Sequence, residues 1–277
     1  MNGVDLCVGT FGDPADPAIL LIMGSSASMD WWEDEFCERL AAGSRFVVRY
    51  DHRDTGESVS YEPGAPPYTG RDLIDDALAL LDALELSRVH VVGMSLGGAI
   101  AQLVALERPE RLASLTLIST APSAPGPEDP DLPTMSDESG ARFAAITEPT
   151  WSDPASVVDY LTEIARASSA RSRPFDEAAF RELACRIVER TTDIESSMKN
   201  HDVADAVPRW RERLRDLPVP TLVVHGTEDP VVPYGNGVAL AAEIPGARLL
   251  TLEATGHELP RPTWDVVVPA ILEHTSR

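Results

Sequence analysis

Residues 89–100 read "VHVVGMSLGGAI". The first six are a short, nearly continuous apolar run of the kind that forms a strand buried on both faces. The rest continue as "LGGAIAQLVALE", a helical pattern with two glycines in its first turn. Between strand and helix, Gly93-Met94-Ser95-Leu96-Gly97 fits G-x-S-x-G. Such a pentapeptide also occurs as a plain turn. Strand before and helix after are the setting in which its serine is a nucleophile. Glycines at 93, 97 and 98 relieve crowding where the two elements pack closely. The helix N-terminus then aims free amides and the positive end of its dipole at any oxyanion formed beside Ser95.

Working outward, similar apolar runs recur as "AILLIM" (18–23), "RFVVRYD" (45–51), "LTLIS" (115–119), "TLVVHG" (221–226) and "RLLTLE" (248–253). Helical patterns lie between them. "RDLIDDALALLDAL" sets Leu73, Ile74, Ala77, Leu78, Leu81 and Leu84 on one stripe, and "VALAAEI" and "TWDVVVPAILEH" flank the last run, the second interrupted by Pro269. Alternation of this kind predicts a mostly parallel central sheet with helices on both faces. It breaks once, at "PSAPGPEDPDLPT", where Pro122, Pro125, Pro127, Pro130 and Pro133 exclude helix and central strand. Helices are expected at about 154–167 and 176–190, the second capped by Asp176. The expected organisation is a core of residues 1–121 and 205–277, with residues 122–204 inserted between two strands as a helical cap or lid.

A serine hydroxyl needs a base, and the base an orienting carboxylate, which in this architecture follow in the order Ser, acid, His. "HGTEDPVVP" places Asp229 just past one strand and "ATGHELP" places His257 just past the last. Both are at carboxyl ends of strands, where open α/β sheets bind ligands. Glu228 is the rival acid. Among the six histidines, His52, His90, His201, His225 and His274 lack the loop position, preceding glycine and chain order that His257 combines. The second oxyanion donor is expected in "LLIMGSSASMDWW", after the first of the six runs. Leu96 and Ser25 supply the amides by position, with Gly24 and Ser26 as alternatives to Ser25.

Composition limits the function classes. The 277 residues carry 45 Asp and Glu against 23 Lys and Arg, a net charge of −22 without a basic cluster, which argues against nucleic acid and anionic membrane as partners. Cys7, Cys37 and Cys185 show no CxxC spacing, so reduced, mostly buried thiols in a cytoplasmic protein are expected, with no metal site. The opening "MNGVDLCVGTFGD" shows no basic n-region and no long apolar run, so export is not expected, and with no stretch approaching 18 apolar residues no membrane span is expected.

The residues "FGDPADPAILLIMG", "VVRYDHRDTGES", "VVGMSLGG", "PTLVVHGTEDPVVP" and "GHELP" resemble the α/β-hydrolase superfamily across nearly the whole chain. More narrowly they are similar to the aclacinomycin methylesterase-type hydrolases, including Met23 where many hydrolases have His. The resemblance implies Ser95, Asp229 and His257 as triad and the Ser25 and Leu96 amides as oxyanion hole. It further implies hydrolysis of a methyl ester on an aromatic polyketide without metal or organic cofactor. It is strong in the core and weak in the cap. Trp31 or Trp32, Met135, Phe143, Trp151 and Tyr160 are candidates to face the acyl group, the bland alternative for each being core packing. Glu258 beside the base is expected to disfavour anionic substrates. The rival readings are a lactonase, a C–C hydrolase or a cofactor-free perhydrolase with the same triad. A non-catalytic small-molecule binder on the same fold is a rival of a different class.

Overall fold

The computed structural model describes residues 2–123, 129–205 and 207–276. Among the described residues seven strands are β1 (Val8–Phe11), β2 (Ala18–Ile22), β3 (Phe46–Tyr50), β4 (Val89–Met94), β5 (Leu112–Ile118), β6 (Thr221–Gly226) and β7 (Arg248–Leu252). They form one sheet in the order β1-β3-β2-β4-β5-β6-β7. All neighbours are parallel except β1, which runs antiparallel to β3 with Val8 opposite Tyr50. The six apolar runs are β2 to β7; β1 is an additional edge strand.

The helices of the first part are α1 (Asp34–Ala41), α2 (Gly70–Ala83) and α3 (Leu96–Glu107). Between β5 and β6 come α4 (Asp137–Ala144), α5 (Pro154–Ser168), α6 (Glu177–Arg190) and α7 (Ile194–Val203); α8 (Gly235–Glu243) and α9 (Trp264–His274) follow. The two-residue period of a strand sorts the core into halves. Leu20 and Ile22 of β2 and Val91 of β4 pack with α2, α3 and α8, while Ile19, Leu21 and Val92 pack with α1 and α9. All five β2 side chains are buried, and each fully buried Leu or Ile contributes about 1.5–3 kcal/mol. The helix α9 runs through Pro269, because burial of Val267, Val268 and Ile271 against the sheet outweighs one missing backbone bond.

One further expectation changes. Only Cys37 is a buried thiol, pushed up to about 12 by burial, whereas Cys7 is half-buried and Cys185 exposed. In the proline-rich segment, Pro125 and Pro127 lie outside the described residues. Pro133 is fastened to α8, its carbonyl accepting the Asn236 side-chain amide at 2.9 Å.

The helices α5 and α6 bury Val157, Val158, Leu161, Leu183, Ala184 and Ile187 in a cluster apart from the two sheet layers. Asp153, Asp176 and Asp193 accept the amides of Ala155, Ala179 and Ser196 as N-caps of α5, α6 and α7, each contributing about 1 kcal/mol. This helical insertion is bonded along the carboxyl edge of the sheet. The His257 amide donates to Ser168 O at 2.8 Å, and the Ser26 amide donates to His201 Nδ1 at 3.0 Å.

Candidate active site

Ser95 leaves β4 and enters α3 with φ +52° and ψ −119°, a conformation costing a non-glycine residue about 1–3 kcal/mol. The surroundings hold it there. Its amide donates to Ile118 O at 3.0 Å, and its carbonyl accepts the Thr120 hydroxyl and the Gly98 amide, each at 2.9 Å. A Cβ on Gly97 would stand 2.1 Å from Ile22 O and 2.6 Å from Met23 O. Only glycine lets α3 come this close to the end of β2. The approach brings the Gly24–Ser26 loop beside the serine, and a Cβ on Gly24 would lie 3.7 Å from Ser95 Oγ. Among the described residues the amides of Ser25 and Leu96 have no hydrogen-bond acceptor, whereas the Ser26 amide is bonded to His201.

Asp229 follows β6 and is buried. Its Oδ1 accepts the amides of Val231 and Val232 at 2.9 and 2.8 Å, and its Oδ2 lies 2.8 Å from His257 Nδ1. Burial works against the charge, but His257 and His225 outweigh it and hold the carboxyl at about 2. An ionised Asp229 requires His257 Nδ1 to be the protonated nitrogen, which leaves Nε2 to take a proton. Asp229 and His257 are thus brought together. Among the described residues no hydrogen bond joins Ser95 Oγ to the His257 ring, whose side-chain bond is to Asp229. The rival acid Glu228 instead accepts the Ser172 amide at 3.0 Å.

Asp51, His52, His225 and Glu258 also hold this edge, and of these only Glu258 carries a role expected from the sequence. Asp51 accepts the Met29 amide at 2.7 Å and pairs with Arg190 of α6 at 2.7 Å. His52 is buried, bonded to Met23 O at 3.0 Å, and lowered to about 3 by burial and by neighbouring His201. His225 donates to Val232 O at 2.7 Å while its Nε2 lies 3.5 Å from Asp229 Oδ2. Glu258 accepts the Ala170 amide at 3.0 Å and is ion-paired with Arg173. The charge expected to repel anionic substrates is therefore balanced by an arginine. The stretch "YDHRDTGES" carries part of the family resemblance in the sequence, but its backbone partners are not legible there.

Of the aromatic candidates, Trp32 is buried against Phe36, ring centroids 5.6 Å apart, and belongs to the sheet core. Trp31 lies half-buried 5.5 Å from the Phe180 ring of α6. Trp151 packs 5.6 Å from Tyr160 on the α5–α6 cluster, its indole N–H donating to Glu148. Phe143 is half-buried on α4 and Met135 is 36% exposed. Among the described residues no group of three or more His, Cys, Asp or Glu is arranged to hold a metal ion. None of the described helices is long and apolar enough to cross a membrane.

A parallel sheet with one antiparallel edge strand, a positive-φ serine between strand and helix, and an acid–histidine pair on the same edge define a class. The chain belongs to the α/β-hydrolase family, whose model, described as alpha/beta hydrolase fold, matches residues 17–260. It is 35% identical over 281 residues to rhodomycin D methylesterase DauP of Streptomyces sp. (strain C5), covering 95% of this chain and 92% of the relative. Identity to rhodomycin D methylesterase DnrP of Streptomyces peucetius is also 35%, over 282 residues and the same shares of the two chains. A solved hydrolase from Pseudomonas aeruginosa PA01 superposes with TM-score 0.70 at 28% identity, covering 100% of this chain and 96% of that one. The enol-lactonase from Burkholderia xenovorans LB400 shares the fold with TM-score 0.77 at 22% identity, covering 100% and 98%.

Proposed function

We propose that this chain is a carboxylic ester hydrolase that removes methanol, or a comparably small alcohol, from a bulky polyketide-like acid through an acyl-enzyme on Ser95. The reading is carried by the Asp229–His257 pair, 2.8 Å apart on the sheet edge that holds the positive-φ Ser95. That geometry stands in a chain 35% identical to two rhodomycin D methylesterases.

In this mechanism His257 Nε2 takes the Ser95 proton as Oγ attacks the ester carbonyl, and Asp229 holds Nδ1–H. The oxyanion accepts the Ser25 and Leu96 amides, each such donor lowering the barrier by about 3–4 kcal/mol. The alcohol leaves with the proton from His257, and water repeats the sequence to release the acid. Residues 1–121 and 205–277 form the core domain and residues 122–204 the cap. Trp31, Met135, Phe143 and Trp151 are the proposed acyl contacts, of which Trp31 has the strongest support because it bridges the oxyanion-side loop and α6. The three free cysteines support a reducing, cytoplasmic setting.

The test is mass-resolved product analysis with an anthracycline-type methyl ester, an aryl acetate and a lactone, using wild type and Ser95→Ala. Loss of the methyl group from the polyketide, abolished in the variant, is expected. Turnover of the lactone alone would refute the methyl ester assignment.

A further inference from the structure

The sequence "IESSMKNHDV" of α7 has little apolar character, yet Ser196, Ser197, Asn200 and His201 are all buried. Positions four apart share one side of a helix, and here two such pairs serve two sites. Ser196 donates to Tyr61 O at 2.5 Å, and Asn200 donates to Asp54 Oδ2 at 3.0 Å. The other pair grips the loop after β2. The Ser197 hydroxyl donates to Ser26 O at 3.1 Å, and His201 Nδ1 accepts the Ser26 amide at 3.0 Å. The Ser25 hydroxyl reaches Asp202 of the same helix at 3.3 Å.

Ser26 has φ +62°, a left-handed conformation that a non-glycine residue keeps only when its surroundings enforce it. Both polar groups of its backbone are held by α7. The tautomer of the histidine follows from geometry. An amide donor at Nδ1 requires a lone pair there, so the proton sits on Nε2, which lies 2.8 Å from Arg53 O. The imidazole is therefore a neutral strut between the turn after β3 and the loop carrying the Ser25 amide. Burial lowers its pKa and favours that form.

We propose that His201, through the lone pair on Nδ1, fixes the backbone of Ser26 and thereby the direction of the Ser25 amide, acting as a positioning residue for the oxyanion. This rests on the esterase reading of Ser95. The ring touches no reacting atom; it acts one residue away, through the conformation of Ser26.

The test compares His201→Ala and His201→Asn with wild type and Ser95→Ala, measuring kcat and KM on an aryl acetate and the melting temperature of each. Asn places an acceptor near the Nδ1 position. His201→Ala is expected to lower kcat by on the order of 10²-fold, the cost of misplacing a catalytic group by about 1 Å, with KM changed far less. His201→Asn is expected to recover most of kcat. Should His201→Ala not fold, His201→Gln takes its place. Its longer side chain reaches toward Arg53 O rather than Ser26, so it is expected to fall below His201→Asn. Equal kcat in wild type and His201→Ala, or an Asn variant no better than Ala or Gln, would overturn the proposal while Ser95→Ala remains inactive. A loss confined to melting temperature would assign His201 a structural role only, and would also overturn it. Full activity in Ser95→Ala would sink the esterase reading itself, a separate and recognisable result.

Discussion

Adding one methyl group at Gly97 should injure both the fold and the proposed oxyanion site. A Cβ there would meet Ile22 O at 2.1 Å and Met23 O at 2.6 Å. Carbon and oxygen tolerate contacts down to about 3.3 Å, so α3 and the end of β2 must separate by roughly 1 Å. Neither yields easily, since β2 is paired on both sides and α3 lies buried on the sheet. Overpacking of this kind costs about 1–3 kcal/mol. For a chain of this size that lowers the melting temperature by roughly 2–12 °C. The same displacement widens the gap between the Leu96 and Ser25 amides. A misplacement of about 1 Å costs on the order of 10²-fold in rate. Calorimetric unfolding and kcat/KM on an aryl acetate, measured for wild type and Gly97→Ala, read both effects. A variant with an unchanged melting temperature and kcat/KM within twofold of wild type would refute the close-approach argument.

Three further outcomes follow from the site. Asp229→Asn keeps an oxygen for the Val231 and Val232 amides but sets an amide donor against His257 Nδ1, so kcat should drop by about 10³–10⁴-fold. A fall of less than tenfold would argue against Asp229 as the orienting acid. Glu258→Ala strips the acceptor from the Ala170 amide and leaves Arg173 unpaired, and should cost about 1–3 kcal/mol in urea unfolding; unchanged stability would show that this tie between the helical insertion and the His257 loop is weak. His90 is buried and held at about 4, below its ordinary 6.5, with burial the main cause. Its contribution is present in full above pH 6.5 and is lost as the pH falls toward 4, because the unfolded chain then binds the proton first; the loss amounts to about 3 kcal/mol. Urea unfolding at pH 7 and pH 4.5 should therefore show a smaller pH dependence for His90→Gln than for wild type, and identical slopes would contradict this.

The parallel sheet was legible because strands buried on both faces must be apolar throughout, as "AILLIM" and "TLVVHG" are. The edge strand β1 escaped for the opposite reason. "VGTF" is only partly buried and its stability comes from backbone pairing to β3, which leaves no apolar run to read. The helical insertion divided in the same way. Its helices α5 and α6 bury an apolar stripe and announce themselves by period, whereas α7 buries serine, asparagine and histidine through hydrogen bonds. Hydrophobic periodicity has no access to a helix held that way. Candidate positions for Ser95, Asp229 and His257 could be read from chain order and strand ends. The backbone partners of His52, His201 and Glu258 could not, because each bridges segments far apart in sequence to a main-chain group that any residue carries.

The central claim is that Ser95 is the attacking group. Treating wild type and Ser95→Ala with a fluorophosphonate and mapping the adduct by peptide mass spectrometry tests it most directly. A single adduct on Ser95 in the wild type, absent from the variant together with esterase activity, is the expected result. An adduct on another residue, or equal labelling and turnover in Ser95→Ala, would contradict the account.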